Sequence, residues 1–452
     1  MILNIDNLGI VKHVSIDLAK KFTLFCGPNS TGKTYTSYII QAFLDEDRMF
    51  PQLSFIAEFL NSVKAGRKVI LEKKYITEWL AANCYSVKCR LGDIFAISEE
   101  SKERLFDKFS IHADFSDDDY SKIVGSSFKS HIKFGSEFLD IDKPSGSNAI
   151  SVETNMDLSE SSVFVIVNNL LRSLSLSGIS GVRMLPVERN SIYTFKTELS
   201  ISRNELVERI HQLGKDDAEL FDIVNRSSRR YPQAIRASLK TANDLAVVQK
   251  RLSPFAEVAD IIESDLLLGS VNITKDGDVE FSPHGMSETR KIPFHLSSSI
   301  VKTMSSLIIY LRHLAQKGDV LIVDEPEMNF HPDVQILLAK VFALLSNKGM
   351  KVIVSTHSDY IIREVNNLIM ASALDERGNG EIVKELGYRD DELISHNDVS
   401  VLFFNKTGES VVNVEELAID EEGFAVETID SAIMKQNRDA ERLYSLLSDI
   451  ED

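Results

Sequence analysis

The chain has 452 residues, more than one ordinary compact domain holds, so we expect several units or one core with large insertions. Hydrophobic residues make up 43% and charged residues 26%, which excludes a largely disordered chain. The net charge of −18 argues against a generally basic nucleic-acid-binding protein. Because no apolar run reaches about 18 residues and the first residues are not basic, we expect a cytoplasmic protein with no membrane partner.

The first 26 residues predict three short strands, the last of which is the apolar run Phe22–Cys26. A loop rich in glycine and serine follows this strand. After the loop, apolar residues recur at helical spacing from Tyr35 to Phe43, which predicts an amphipathic helix. The three cysteines of the chain predict neither a disulfide framework nor a zinc site.

The loop between this strand and helix fits the phosphate-loop pattern at every fixed position. Its residues are Gly27, Pro28, Asn29, Ser30, Thr31, Gly32, Lys33 and Thr34. Glycines allow backbone N–H groups to turn toward phosphate oxygens, and the helix N-terminus adds its positive dipole. We therefore expect Lys33 to bind the β- and γ-phosphates of ATP and Thr34 to offer its hydroxyl to Mg²⁺.

The middle of the chain carries no recognisable motif. Residues 46–179 mix helical and strand patterns, and residues 202–269 are rich in charged and apolar residues with few helix breakers. A β-hairpin with Asp-Gly in its turn is predicted over residues 271–281. Ser297 and Ser298 then begin a clean amphipathic helix, where hydroxyls and free N–H groups suit an anion; an ordinary helix cap is the alternative.

Two further strands end in polar residues. The apolar run Val320–Val323 leads into Asp324 and Glu325, at the edge where parallel sheets bind ligands. We expect Asp324 to reach Mg²⁺ through its water shell and Glu325 to act as the general base for the attacking water or to orient it. A second apolar strand from Val352 ends in His357, whose imidazole is predicted to contact a phosphate oxygen or the attacking water.

The order of these motifs resembles the ABC-type ATPases of the SMC and RecF group. The run Glu325–Pro332, the run Ser355–Ser358 and the segment Leu185–Arg189 resemble more closely the stand-alone branch related to the OLD nucleases. That branch supplies ATPases to antiphage systems, with PARIS as the first and Septu as the second resemblance. It implies a P-loop ABC-type ATPase head of the α/β class with an N-terminal antiparallel β-layer and a mixed or helical insertion.

The resemblance also implies partners. Such ATPases form head-to-tail dimers or higher oligomers, in which Ser297 and its neighbours would touch ATP held by the partner. In this chain Ser298 and Ser299 replace the usual glycines, so slow turnover is expected. A separate Toprim nuclease effector and a phage-encoded trigger are implied as well. Residues 376–452 offer strands but no Asp-x-Asp metal pair, so we expect no nuclease domain in this chain.

The segments predict a core of residues 1–45, 180–201 and 270–415, a mixed α/β insertion over 46–179 and a helical insertion over 202–269. Residues 416–452 form an acidic helical segment. From Glu415 to Asp452 there are twelve acidic and three basic residues, with apolar residues spaced to dock on the body or on a partner.

Three functions remain open at this point. One is an ATPase that acts as a sensor or scaffold for an effector in antiphage defence. Another is a DNA repair or chromosome-maintenance ATPase, for which the candidate DNA-binding residues are Arg226, Arg229, Arg230, Arg236 and Lys240. The third, a transporter ATPase, is disfavoured because the run Glu325–Pro332 replaces the usual transporter sequence.

Overall fold

The computed structural model describes residues 1–45, 53–156, 159–176, 178–195, 230–285, 291–406 and 411–451. Much of the predicted helical insertion lies outside these ranges, as do Arg226 and Arg229. Within the described residues no helix is both long and apolar enough to cross a bilayer.

Strands occur along most of the described chain. In chain order they are β1 (Ile2–Leu8), β2 (Val11–Asp17), β3 (Phe22–Cys26), β4 (Val69–Ile70), β5 (Ser110–Asp114), β6 (Phe128–Phe134), β7 (Glu137–Lys143), β8 (Ala149–Thr154), β9 (Val182–Leu185), β10 (Gly269–Ile273), β11 (Val279–Pro283), β12 (Ile292–Pro293), β13 (Val320–Asp324), β14 (Lys351–Ser355), β15 (Val399–Lys406) and β16 (Val412–Glu416).

The α-helices are named in the same way. They are α1 (Lys33–Leu44), α2 (Ser54–Lys64), α3 (Lys73–Cys89), α4 (Leu91–Phe95), α5 (Glu99–Phe106), α6 (Asp117–Gly125), α7 (Glu160–Ser175), α8 (Arg189–Ile192), α9 (Gln233–Asn243), α10 (Leu245–Val248), α11 (Ala256–Ile262), α12 (Ser299–His313), α13 (Pro332–Asn347), α14 (Asp359–Glu376), α15 (Gly380–Glu385) and α16 (Glu427–Glu451).

A nine-stranded mixed sheet organises the chain, in the order β5-β1-β2-β16-β15-β3-β14-β13-β9. The five strands from β15 to β9 run parallel to one another. At the other end, β5, β1 and β2 pair antiparallel, and β16 connects them to the parallel part. The predicted N-terminal antiparallel layer is therefore present, and it is continuous with the parallel strands in one sheet.

The apolar strands are buried because both faces of the parallel part are covered, as their unbroken hydrophobic runs predict. On one face, Phe25, Ile322 and Ile353 join the same core as Ile39 and Phe43 of α1. On the opposite face the core contains residues of α12, α13 and α14, and it includes Leu24, Val323, Val354, Leu307, Leu338 and Ile361. The fold is thus a mixed α/β P-loop fold.

The segment between α1 and β9 contains the predicted mixture of helices and strands. β4, β8, β7 and β6 form a separate antiparallel sheet, whereas β5 pairs with β1 at the edge of the main sheet. Asn4 Nδ2 donates to Asp114 Oδ2 at 2.7 Å across this pairing. One strand of the predicted insertion therefore belongs to the main sheet.

The remaining predicted elements are observed with small shifts in their bounds. β10 and β11 form the expected hairpin, and β12 extends it to three strands. Helices α9, α10 and α11 occupy the described part of the predicted helical insertion. In the acidic segment, Phe424 and Val426 are buried against the body. Residues 434–446 of α16, including Leu443 and Leu446, are exposed.

Candidate functional site

The candidate site is formed where the parallel strands end. β9, β13, β14 and β3 are neighbours in the sheet and run in the same direction, so their carboxyl ends share one edge. β3 leads into the phosphate loop, β13 ends at Asp324, β14 leads to His357, and Arg189 follows β9. The strand order therefore assembles motifs that are up to about 330 positions apart in the sequence.

The two fixed glycines of the phosphate loop are required by close contacts and by backbone angles. Gly27 has a φ of 132°, and a Cβ there would lie 2.5 Å from the carbonyl oxygen of Phe404. Gly32 has a φ of 93°, and a Cβ there would clash with Val11. Ser30 is also left-handed, with a φ of 60°. This alternation of backbone conformations produces the N–H-lined concavity that suits phosphate oxygens.

Lys33 is buried in the first turn of α1. Its Nζ donates to the carbonyl oxygens of Gly27 and Pro28, each at 2.8 Å, which holds the ammonium group over the loop. Burial lowers the pKa of Lys33, while the nearby carboxylates of Asp324 and Glu325 oppose that shift. Asn29 and Ser30 are exposed, and Thr31 is buried with its hydroxyl donating to the carbonyl of Pro28 at 2.8 Å.

Thr34 and Asp324 meet although they are distant in sequence. Thr34 Oγ1 donates to Asp324 Oδ2 at 2.8 Å, and the Ser355 hydroxyl donates to Asp324 Oδ1. Burial raises the pKa of Asp324, and these two hydrogen bonds oppose the shift. A hydroxyl beside a carboxylate at the mouth of a phosphate loop is a donor set that fits Mg²⁺, which prefers oxygen ligands.

Glu325 stands in an unusual backbone conformation, with a φ of 45°. Its N–H donates to the carbonyl of Ser355 at 2.9 Å, and its own carbonyl accepts from Arg189 Nη2 at 2.7 Å. Its side chain is half-buried. Strained conformations of this kind persist where surrounding contacts fix them, and they aim a side chain away from the course of the strand.

Arg189 was not predicted as a site residue, although the Leu185–Arg189 segment drew attention to it. Its guanidinium is buried and donates to the carbonyl of Asp324 at 2.6 Å as well as to that of Glu325. Burial lowers its pKa to about 10, and the neighbouring carboxylates of Asp324 and Glu327 oppose the shift. This arginine therefore fixes the backbone of Asp324 and Glu325 through hydrogen bonds.

Glu327 was also missed by sequence reasoning, although it lies within the run Glu325–Pro332. Its Oε1 accepts hydrogen bonds from Thr356 Oγ1 and from the backbone N–H of His357, both at 2.8 Å. The imidazole Nδ1 of His357 lies 3.4 Å from the same oxygen. β14 itself ends at Ser355, so His357 lies in the turn beyond the strand instead of at its end.

Ser297 and Ser298 have local contacts at the start of α12. Ser297 is buried and its hydroxyl donates to the carbonyl of Pro293 at 3.3 Å, while Ser298 is the exposed N-cap of α12. Further along α12, the Ser306 hydroxyl donates to the carbonyl of Arg189 at 3.4 Å.

The structure also describes the surroundings of three candidate DNA-binding residues and of the cysteines. Arg236, one of the candidate DNA-binding residues, forms a 2.8 Å ion pair with Asp93, whereas Arg230 and Lys240 are exposed. Cys26 and Cys84 are buried, and Cys89 is exposed. Burial raises the pKa of Cys26 to about 12, so this thiol stays protonated at neutral pH.

Comparison with known proteins identifies the family. The family model described as the AAA ATPase domain (AAA_15) matches residues 1–362 of this chain. Among curated proteins, no sequence matches it.

Three solved structures that match this chain are SMC heads. The Smc head bound to the C-winged helix domain of ScpA is 13% identical with a TM-score of 0.35, and the match covers 93% of this chain and 98% of that chain. The Smc head with an extended coiled coil bound to the C-terminal domain of ScpA, derived from Pyrococcus furiosus, is 11% identical with a TM-score of 0.35, covering 97% and 98%. The SMC head domain from Thermotoga maritima is 9% identical with a TM-score of 0.29, covering 92% and 98%.

The family match spans most of the chain and contains both the phosphate loop and the acid pair. The conclusion from the motifs and from the match is the same. This chain belongs to the AAA ATPase domain family (AAA_15) and is a nucleotide-binding P-loop ATPase.

Proposed function

We propose that this chain is a Mg²⁺-dependent ATPase that works as a sensor or scaffold, holding and releasing a separate effector in antiphage defence. The effector expected from the resemblance to the OLD-related branch, with PARIS first and Septu second, is a Toprim nuclease. The observation that best supports the chemical part is the hydrogen bond from Thr34 to Asp324, because it joins the phosphate loop to the acidic strand end.

Each residue of the site has a proposed task. The loop from Gly27 to Thr34 binds the phosphates, with Lys33 supplying a positive charge. Thr34 and Asp324 would hold Mg²⁺, which neutralises phosphate charge when bound. Glu325 accepts a proton from the attacking water, and Arg189 fixes the backbone from which Glu325 projects. His357 orients the water or contacts a phosphate oxygen.

The simplest test measures phosphate release by the purified chain with ATP, in Mg²⁺ and after chelation by EDTA. We expect turnover that requires the metal and that is lost in Asp324→Asn. Hydrolysis that persists in EDTA would contradict the proposed use of Thr34 and Asp324 as metal ligands.

A head-to-tail dimer is proposed because the family resemblance implies it, and the Ser297 hydroxyl donates to Pro293 of its own segment. In that dimer Ser297 and Ser298 would act on ATP held by another protomer. Mixing Ser298→Arg protein with Lys33→Ala protein should therefore restore part of the ATPase activity that each lacks alone. In such a heterodimer one of the two sites combines two intact halves.

Ser298 is preferred to Ser297 for this test because it is exposed, so an arginine there leaves the core undisturbed. Ser297→Arg serves as the second variant. Heterodimer formation is verified by mass measurement on differently tagged protomers. Heterodimers that form yet stay inactive in both combinations would contradict the sandwich arrangement.

The acidic helix α16 is proposed to hold a partner or to assist assembly. Its side chains Leu443, Tyr444 and Leu446 are exposed. Apolar side chains that are grouped on a protein surface are typical of a site that binds another protein. Deleting residues 427–452 should leave ATP turnover and melting temperature near wild type, because the buried Phe424 and Val426 are kept. Oligomer mass or co-purification of the effector should fall.

A full-length Leu443→Asp, Leu446→Asp protein is the matched control, since it keeps the helix and removes only its exposed apolar surface. It should behave like the deletion. If both proteins retain assembly and effector, α16 has no role in holding partners.

The DNA-binding alternative is tested separately. Of the candidate residues in the described part of the chain, Arg236 is already paired with Asp93, and Arg230 and Lys240 are the exposed ones. Tight, salt-dependent DNA binding that is weakened by Arg230→Ala and Lys240→Ala would favour a DNA repair or chromosome-maintenance role.

A further inference from the structure

The buried carboxylate of Glu327 lies between the acid pair and the His357 turn. Only 7% of its side chain is exposed, whereas 43% of the His357 side chain is. The glutamate follows Pro326 and lies two residues beyond Glu325, so the same short loop carries both carboxylates. A carboxylate this deeply buried is costly unless its oxygens have partners.

Oε1 of Glu327 contacts three groups of the turn that follows β14. It accepts from the Thr356 hydroxyl and from the His357 N–H, and it lies 3.4 Å from His357 Nδ1. The Thr356 hydroxyl in turn accepts from the N–H of Ser358 at 2.9 Å. These contacts fix the backbone of the turn that carries the imidazole ring.

The second oxygen, Oε2, is buried and has no hydrogen-bond partner. Since Nδ1 is the ring nitrogen nearest this carboxylate, a proton on Nδ1 would supply a donor to the glutamate. The other ring nitrogen, Nε2, would then be the one available to the half-exposed side of the site. A carboxylate beside a histidine sets tautomer and ring orientation in this way in many sites.

We infer that Glu327 is a positioning residue for His357, which holds the imidazole in the Nδ1–H form with Nε2 presented to the phosphate-binding site. This inference rests on the proposed role of His357 in ATP hydrolysis. Through Glu327, the loop after β13 would control the position of the His357 side chain in the turn after β14. The glutamate does not itself touch substrate; it acts through the histidine.

A double-mutant cycle tests the inference. Turnover is measured for wild type, Glu327→Ala, His357→Ala and the double variant, together with affinity for a non-hydrolysable ATP analogue. We expect each single change to lower kcat by about 10- to 100-fold. The double variant should be no slower than His357→Ala alone, and analogue affinity should stay near wild type.

Glu364 on α14 supplies a matched control. It is a buried glutamate that also has one oxygen without a hydrogen-bond partner, and it lies outside the site. Glu364→Ala should cost stability and leave kcat unchanged. If Glu327→Ala fails to fold, Glu327→Gln replaces it with a smaller expected loss, because the amide oxygen can still accept from Thr356 and from His357 N–H and only the charge beside Nδ1 is removed. Losses from Glu327→Ala and His357→Ala that multiply would overturn the inference.

A second measurement is independent of hydrolysis. Nitrogen-15 NMR at about pH 8.5, where imidazoles are largely neutral, reports the His357 tautomer, with the resonance assigned by its loss in His357→Gln. We expect the Nδ1–H form in wild type and a shift toward Nε2–H in Glu327→Ala. Wild type already in the Nε2–H form would overturn the inference.

The two measurements separate the possible failures. A chain that hydrolyses no ATP but shows the tautomer shift refutes the proposed function and leaves the positioning role standing. If hydrolysis is intact and His357→Ala does not lower it, both the proposed role of the histidine and this inference are wrong.

Discussion

Lys33→Ala is expected to abolish ATP binding at physiological concentrations. The ammonium group of Lys33 is buried and held over the loop by the carbonyls of Gly27 and Pro28. Removing one partner of a buried charge pair costs about 2–5 kcal/mol, which corresponds to roughly 30- to several-thousand-fold in affinity. Titration calorimetry with a non-hydrolysable ATP analogue and Mg²⁺ measures the loss directly.

Lys143 offers a matched control for this prediction. It too is a buried lysine whose Nζ donates to backbone carbonyls, those of Val124 at 3.1 Å and Ser126 at 2.6 Å. Burial lowers its pKa, as it does for Lys33. Lys143→Ala should therefore reduce thermal stability without changing nucleotide affinity. Equal losses of affinity in the two variants would mean that the effect of Lys33→Ala is structural.

The parts of the site that are contiguous in sequence were predictable. The phosphate loop places its fixed residues within eight positions, and the acid pair follows directly on four apolar residues. Local patterns of this kind are constrained by backbone geometry and by burial, so one sequence suffices to read them. The strands β1, β2, β3, β13 and β14 were predicted for the same reason.

The order of strands across the sheet was not predictable in this way. β16 lies between β2 and β15, and β5 joins the edge beside β1, about 110 positions away in sequence. Neither placement has a local signal, because each depends on pairing between distant segments. The antiparallel layer was therefore predicted, while its continuity with the parallel strands was not.

Arg189 and Glu327 were missed for a related reason. Both have contacts to backbone groups, namely the carbonyls of Asp324 and Glu325 for the arginine and the His357 N–H for the glutamate, which also accepts from the Thr356 hydroxyl. Backbone partners leave no trace in the residue types of a sequence. Both residues lie within runs that drew attention through the family resemblance, which was the only signal for them.

Glu325→Gln is expected to bind ATP and Mg²⁺ normally while losing turnover by about 10²- to 10⁴-fold, the range for removing a general base. The backbone of Glu325 is held by Ser355 and Arg189, independently of its side chain. An isosteric amide therefore changes the chemistry and spares the geometry. Single-turnover hydrolysis and analogue affinity, measured together, separate the two effects.

Glu188→Gln controls for loss of negative charge alone, because Glu188 is exposed and contributes to the same electrostatic surroundings of Arg189. It should keep wild-type turnover.

The ATP-bound form of Glu325→Gln should accumulate, because hydrolysis would no longer remove the bound ATP. This accumulation should shift the protein toward the proposed dimer in size-exclusion chromatography. Unchanged turnover in Glu325→Gln would show that Glu325 is not the general base. Besides the proposed metal ligand Asp324, the remaining carboxylate on this loop would then be Glu327. A loss of turnover with equally weakened analogue binding would instead show that the side chain of Glu325 contributes to nucleotide binding. Only a defect confined to kcat supports the proposed proton transfer.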